Sequence, residues 1–200
     1  MLNGDFMDIL EIKNEALLND VPIIKDDSLK IIVNLIQENN IKNILEIGTA
    51  VAYSALSFAL AGADKVTTIE RNPSMFEKAQ ANIKSLNMED KINVIFGDAL
   101  EVDISNFSKE FDLLFIDAAK AQNIKFFERY TPFLKDNGIV VVDNILFHGV
   151  DENDPNISKN LRSLVKKIKT FVTWLKENKE YETIFLNDGD GLAISRRIKC

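Results

Sequence analysis

The sequence predicts an α/β fold: a mostly parallel sheet with helices on both faces, completed by a terminal hairpin. Three features carry that reading. Five short apolar runs recur along the chain, amphipathic runs separate them, and a Gly- and Asp-rich turn joins two more strand-like runs near the end. The five are Asn43–Gly48, Lys65–Glu70, Ile92–Asp98, Phe111–Asp117 and Gly138–Asn144. They are rich in Ile, Val, Leu and Phe, and most lack clean polar alternation, as strands covered on both faces do.

The intervening runs read as helices. One is Pro73–Leu86, where Pro73 suits the first turn because its missing N–H would have no partner there. Another is Gln122–Leu134, and a third begins near Ala52 or Tyr53. Residues from about Ser158 to Lys179 read as one long amphipathic helix, and the first 20 residues look helical. Strand–helix alternation implies right-handed crossovers. Runs 182–187 and 191–197, flanking Asp188, Gly189 and Asp190, read as the hairpin.

A length of 200 residues suits a single domain over 1–200, with 1–27 as an N-terminal cap segment. The 46% hydrophobic content excludes disorder. No apolar run approaches the roughly 18 residues a bilayer span needs. The first residues lack the basic-then-apolar order of a signal peptide, so a cytoplasmic location is expected. The only cysteine is Cys200, which excludes an internal disulfide and argues against a cysteine-based zinc site.

The net charge of −7 opposes broad non-specific binding to nucleic acid. The charge is uneven: residues 159–200 hold ten Lys and Arg against five Asp and Glu, whereas the remainder holds 14 against 26. Lys166, Lys167, Lys169, Arg196 and Arg197 are the available cationic concentration. A solvated helix face is one reading of it; a phosphate-contacting surface is the other.

The first strand runs into a loop at Gly48, which permits a tight turn and close approach of a ligand to backbone. The helix behind it offers free N–H groups. Glu70, 22 positions after Gly48, ends the second strand, where a carboxylate is placed to accept from both hydroxyls of a ribose. A plain turn and a surface charge are the competing readings. Asp98, closing the third strand, is suited to accept from an adenine amino group while the Ala99 N–H donates to a ring nitrogen; a helix N-cap is its competitor. Two glycines of the dinucleotide fingerprint are missing, which fits an adenosyl ligand without a pyrophosphate better than NAD.

The fourth strand ends in Asp117 and the fifth in Asp143 and Asn144. Carboxyl ends of neighbouring parallel strands face one crevice. Two carboxylates and an amide oxygen form a hard-oxygen set suited to Mg2+; caps and turns are the alternative. Lys120, three positions after Asp117, is placed to hold a reacting oxygen as its anion or, with a lowered pKa, to act as a base; an ordinary surface lysine is the alternative. His148, the only histidine, reads as a structural or exposed residue more readily than as a substrate contact. Phe171 and Trp174, at helical spacing, read as core.

Taken together, "EIGTAVAYSAL", "IERNP", "FGDALE", "LFIDAAKAQ", "VVVDNILFHG" and "GDGLAIS" resemble the cation-dependent O-methyltransferases related to catechol and caffeoyl-CoA O-methyltransferases. Within that family the likeness points to the bacterial branch that methylates 5-hydroxyuridine at the tRNA wobble position. It runs from "VPII" almost to the end. It implies a Rossmann-like class I methyltransferase fold, with a seven-stranded, mostly parallel sheet and an antiparallel last strand. It implies S-adenosylmethionine on Ile24, Glu46, Gly48, Ser54, Glu70, Asp98 and Ala99, with Asp117 near the methionine part. It implies Mg2+ on Asp117, Asp143 and Asn144, and Lys120 beside the reacting hydroxyl with Asp117. The implied partner is the tRNA anticodon loop, and the family's habit is a homodimer. Two departures stand out: alanine occupies position 52, where the family usually has glycine, and the segment before "VPII" is short.

Alternatives from other classes remain. One is the same reaction on a small catechol-like or phenolic molecule. Others are an NAD-dependent oxidoreductase, opposed by the missing glycines, and a non-catalytic RNA-binding module, opposed by the intact acid set.

Overall fold

The computed structural model describes residues 3–118, 120–146 and 157–198, with the side chains of 3–8 and of Lys120 outside the description. Two helices come first, α1 (Asn3–Leu18) and α2 (Asp26–Glu38). The sequence reading gave no element to 26–38, where apolar residues crowd both helical and alternating positions. Burial of Ser28, Ile32 and Ile36 at four-residue spacing selects the helix.

The sheet follows: β1 (Asn43–Ile47), α3 (Tyr53–Leu60), β2 (Lys65–Glu70), α4 (Pro73–Ser85), β3 (Ile92–Phe96), β4 (Phe111–Ile116), a 3₁₀ turn at Lys120–Gln122, α5 (Asn123–Tyr130), β5 (Leu134–Asp143), α6 (Lys159–Glu177), β6 (Tyr181–Leu186) and β7 (Leu192–Arg197). The strand order is β3-β2-β1-β4-β5-β7-β6, and β7 runs antiparallel to both neighbours. This is the expected seven-stranded, Rossmann-like sheet. Helix caps follow local chemistry: Asn72 accepts from the Ser74 and Met75 N–H groups at the start of α4, and the Ser158 hydroxyl accepts from Leu161 N–H at the start of α6. Strand β5 starts four residues before the expected Gly138, with a register shift against β4 at Phe111 and Leu113. Helix α5 stops at Tyr130, two residues before Pro132.

Successive side chains of the central strands feed two different cores. Ile44, Leu113, Phe115 and Val141 pack towards α1–α4, whereas Leu45, Leu114, Ile116, Val140 and Val142 pack towards α5 and α6. Phe58 of α3 meets Phe115 edge-on at 5.4 Å. On the other face Phe127, Phe171 and Tyr181 are buried around the half-buried Trp174. Helices change face between β1 and β4, and the carboxyl ends of the strands open into a crevice there.

Candidate active site

A cavity of about 590 Å³ lies over the carboxyl ends of β1–β5. Its walls include Ile24, Gly48, Ser54, Glu70, Asp98, Ala99, Asp117 and Asn144. Ten residues besides Lys120 are expected to contact the cofactor or metal at this end; eight of them meet on the cavity surface, and Glu46 and Asp143 are buried outside its lining.

Gly48 has φ +101, and a β-carbon there would sit 2.3 Å from the Asp117 carbonyl oxygen. Only glycine lets the ends of β1 and β4 approach this closely. The loop continues through Ala50 (φ 46) and Ala52 (φ 66), both left-handed, before α3 starts at Tyr53. A left-handed Ala52 explains why glycine suits that position.

Glu46 was expected to touch the cofactor, and the structure corrects this. Its side chain is wholly buried beneath the floor, accepting from Ser54 Oγ at 2.5 Å and Thr68 Oγ1 at 2.6 Å. Thr68 also bonds Thr49, 2.6 Å away, so one carboxyl braces two cavity residues from below. The strand phase that points Ile44 at α3 points Glu46 there too. Burial pushes its pKa up to about 8, with the charges of Asp117 and Glu70 adding to the shift and the two hydroxyls opposing it. Burial thus favours the neutral acid over the carboxylate at Glu46.

Glu70 is held at both oxygens, accepting from Ala50 N–H at 2.9 Å and Asn72 N–H at 2.8 Å. Each oxygen keeps lone pairs towards the cavity. Asp98 Oδ1 accepts from Leu100 N–H at 2.8 Å, and Oδ2 lies 3.5 Å from the Arg71 guanidinium, another wall residue. The sequence reading passed over Arg71, although it adjoins Glu70.

At the acidic end, Asn144 donates its side-chain N–H to Asp117 Oδ1 at 2.9 Å. Asp143, buried behind them, accepts at Oδ1 from Asn144 N–H at 2.8 Å and from the Ser28 hydroxyl at 3.4 Å. Asn144 has φ 64, a conformation asparagine tolerates well. Among the described residues no three His, Cys, Asp or Glu side chains cluster for a metal. The set is two carboxylates and one amide, and it fits a hard cation once the amide turns its oxygen inward. Asp190, also missed, lines the same end and pairs with Lys25 at 2.6 Å. That hydrogen bond first, and then the Asp190 and Asp143 charges, raise the Lys25 pKa. The Gly-Asp-Gly turn was its only sequence signal.

Lys120 opens the 3₁₀ turn after β4. His148 lies outside the described residues. The cationic tail divides: Arg162, Lys166 and Lys169 share a groove on α6, whereas Arg196 and Arg197 sit at the opposite end of the sheet, bonded to Asn39 and Tyr181. No helix among the described residues is long and apolar enough to cross a membrane.

The O-methyltransferase family model matches residues 8–198. A caffeoyl-CoA O-methyltransferase of Populus kitakamiensis is 31% identical over 186 residues, covering 89% of this chain and 78% of the relative. A Staphylococcus aureus protein, provisionally assigned as a caffeoyl-CoA O-methyltransferase, has a crystal structure that superposes with TM-score 0.88 at 45% identity, covering 94% of this chain and 91% of that one. A Bacillus cereus O-methyltransferase crystallised with S-adenosylhomocysteine shares the fold at TM-score 0.81 and 24% identity, over 99% of this chain and 94% of its own. The chain belongs to the O-methyltransferase family and is an enzyme of that class.

Proposed function

We propose that the chain transfers a methyl group from S-adenosylmethionine to an acidic hydroxyl with a neighbouring oxygen, assisted by Mg2+. The observation that carries this reading is one cavity holding both an adenosyl-type set (Gly48, Glu70, Asp98, Ala99) and a hard-oxygen set (Asp117, Asn144, with Asp143 behind). When bound, S-adenosylmethionine supplies an electrophilic methyl group, and Mg2+ supplies Lewis-acid stabilisation of an oxyanion. Glu70 accepts from the ribose hydroxyls with the lone pairs left free by Ala50 and Asn72. Asp98 and the Ala99 N–H bind the base edge. Asp117, Asp143 and Asn144 would hold the cation, which would supply positive charge for the acceptor's oxyanion. Lys120 holds the hydroxyl as its anion or takes its proton. Fixing donor and acceptor in line supplies up to about 7–11 kcal/mol.

The acceptor in this reading is 5-hydroxyuridine at the wobble position of tRNA, giving 5-methoxyuridine; its 5-hydroxyl and 4-carbonyl oxygens are the required vicinal pair. The ordered motifs from "EIGTAVAYSAL" to "GDGLAIS" support that choice. A small catechol-like acceptor is the second reading, favoured by the caffeoyl-CoA O-methyltransferases among the relatives. The test is mass spectrometry of tRNA nucleosides from cells lacking the chain. Accumulated 5-hydroxyuridine with loss of 5-methoxyuridine is expected. An unchanged nucleoside profile would transfer the proposal to the catechol-like acceptor. A homodimer and a cytoplasmic location belong to the same reading, and sedimentation and fractionation test them.

A further inference from the structure

We propose that Tyr130 is a positioning residue that aims the Ala99 N–H at the cofactor's base, an inference that rests on the adenosyl reading of the cavity. The turn Gly97–Val102 is held from two sides. From within, the Asp98 carbonyl accepts from Glu101 N–H at 2.8 Å and Val102 N–H at 2.9 Å. The peptide joining Asp98 to Ala99 is trans, so its N–H points opposite to that carbonyl, away from the turn. Asp98 and Ala99 both line the cavity.

From outside, the last turn of α5 grips the same segment. Tyr130 Oη donates to the Ala99 carbonyl at 2.5 Å, and the Arg129 guanidinium donates to the Val102 carbonyl at 2.8 Å. Tyr130 has no exposed surface, and its neighbours Phe126 and Phe127 are buried, so the phenol is fixed by core packing. Two adjacent residues of one helix thus hold carbonyls three positions apart in the turn. That bond fixes the peptide following Ala99, which the Ala99 α-carbon joins to the peptide carrying the Ala99 N–H, and it comes from a side chain 31 positions away in sequence.

Adenine presents a ring acceptor at N1, whereas hypoxanthine carries an N–H there. The aim of the Ala99 N–H is therefore read out by base discrimination. The test is calorimetric titration of the purified full chain, well below its melting temperature, with S-adenosylhomocysteine and S-inosylhomocysteine. The wild type should prefer the adenine ligand. Tyr130→Phe keeps the packing and removes the hydrogen bond, so its affinity for S-adenosylhomocysteine should fall about 5- to 10-fold. Affinity for the inosine ligand should fall less, narrowing the ratio. Tyr181→Phe, which removes a buried phenol's hydroxyl elsewhere, should leave the ratio alone. If Tyr130→Phe does not fold, Arg129→Met must narrow the ratio instead. An unchanged ratio in Tyr130→Phe, or in Arg129→Met where Tyr130→Phe does not fold, overturns the role of Tyr130, even with a lowered melting temperature. A wild type that binds neither ligand overturns the adenosyl reading itself.

Discussion

Gly48 and Asp117 approach so closely that a β-carbon on Gly48 would lie 2.3 Å from the Asp117 carbonyl oxygen. This contact joins the adenosyl-type half of the cavity to the acidic half. Gly48→Ala adds backbone strain at φ +101 to a clash with main chain that has no rotamer to escape into. A loss of about 2 kcal/mol or more is expected in urea denaturation, together with loss of S-adenosylhomocysteine binding. Wild-type stability in this variant would contradict the described loop.

Glu46 makes stability depend on pH. In the unfolded chain it ionises near 4.5, while in the fold it holds its proton to about 8. Between these values the unfolded state has released a proton that the native state keeps, so stability falls as pH rises through that window. Glu46→Gln has no proton to lose. Its stability relative to wild type should improve between pH 5 and pH 8, by up to a few kcal/mol. Paired urea melts at the two pH values measure this; parallel shifts in both proteins would contradict a buried, protonated Glu46.

Asp143 is buried and accepts from Asn144 and Ser28, so it is more than an exposed ligand at the sheet edge. Asp143→Ala should leave the Asn144 N–H without its partner and cost about 1–3 kcal/mol. Asp143→Asn keeps an acceptor and should fold normally. Both should lose methyl transfer by two orders of magnitude or more, and excess chelator should do the same to the wild type. Full activity of Asp143→Asn in chelator would show that the acid set holds no working cation.

The division of the cationic tail gives a paired test of tRNA contact. Lys166 and Lys169 share a groove on α6, whereas Arg196 and Arg197 lie at the end of β7 remote from the cavity. Replacing both lysines with alanine should weaken tRNA binding and lower its salt slope by about one per lost phosphate contact. Replacing both arginines should change neither. Filter binding across a salt series separates the two, and equal effects from both pairs would contradict this placement.

Much of the sheet is legible in the sequence because strands covered on both faces leave unbroken apolar runs. Residues at their carboxyl ends inherit a common location from the parallel topology, which is why Gly48, Glu70, Asp98, Asp117 and Asn144 converge as expected. Glu46 is less legible: whether a strand-interior carboxyl faces ligand or helix depends on strand phase and on α3 lying over it. Arg71, Asp190 and Tyr130 lie outside the strand-end rule in different ways. Arg71 is a neighbour of an assigned residue, Asp190 reaches the cavity through a hairpin, and Tyr130 acts through a carbonyl 31 positions away. Arg196 and Arg197 mislead for the converse reason: they adjoin other cations in sequence, but antiparallel β7 carries them away from the site.

The central claim is cation-dependent methyl transfer from S-adenosylmethionine at this cavity. Its most direct measurement uses purified chain, S-adenosylmethionine carrying a labelled methyl group, and two acceptors side by side: tRNA from cells lacking the chain, and a catechol. Each is assayed with Mg2+ and with excess chelator. Label should enter at least one acceptor with Mg2+, the tRNA if the finer reading holds, and chelator should abolish it. Transfer that persists undiminished in chelator, or no transfer to either acceptor by a protein that binds S-adenosylhomocysteine, would contradict the account.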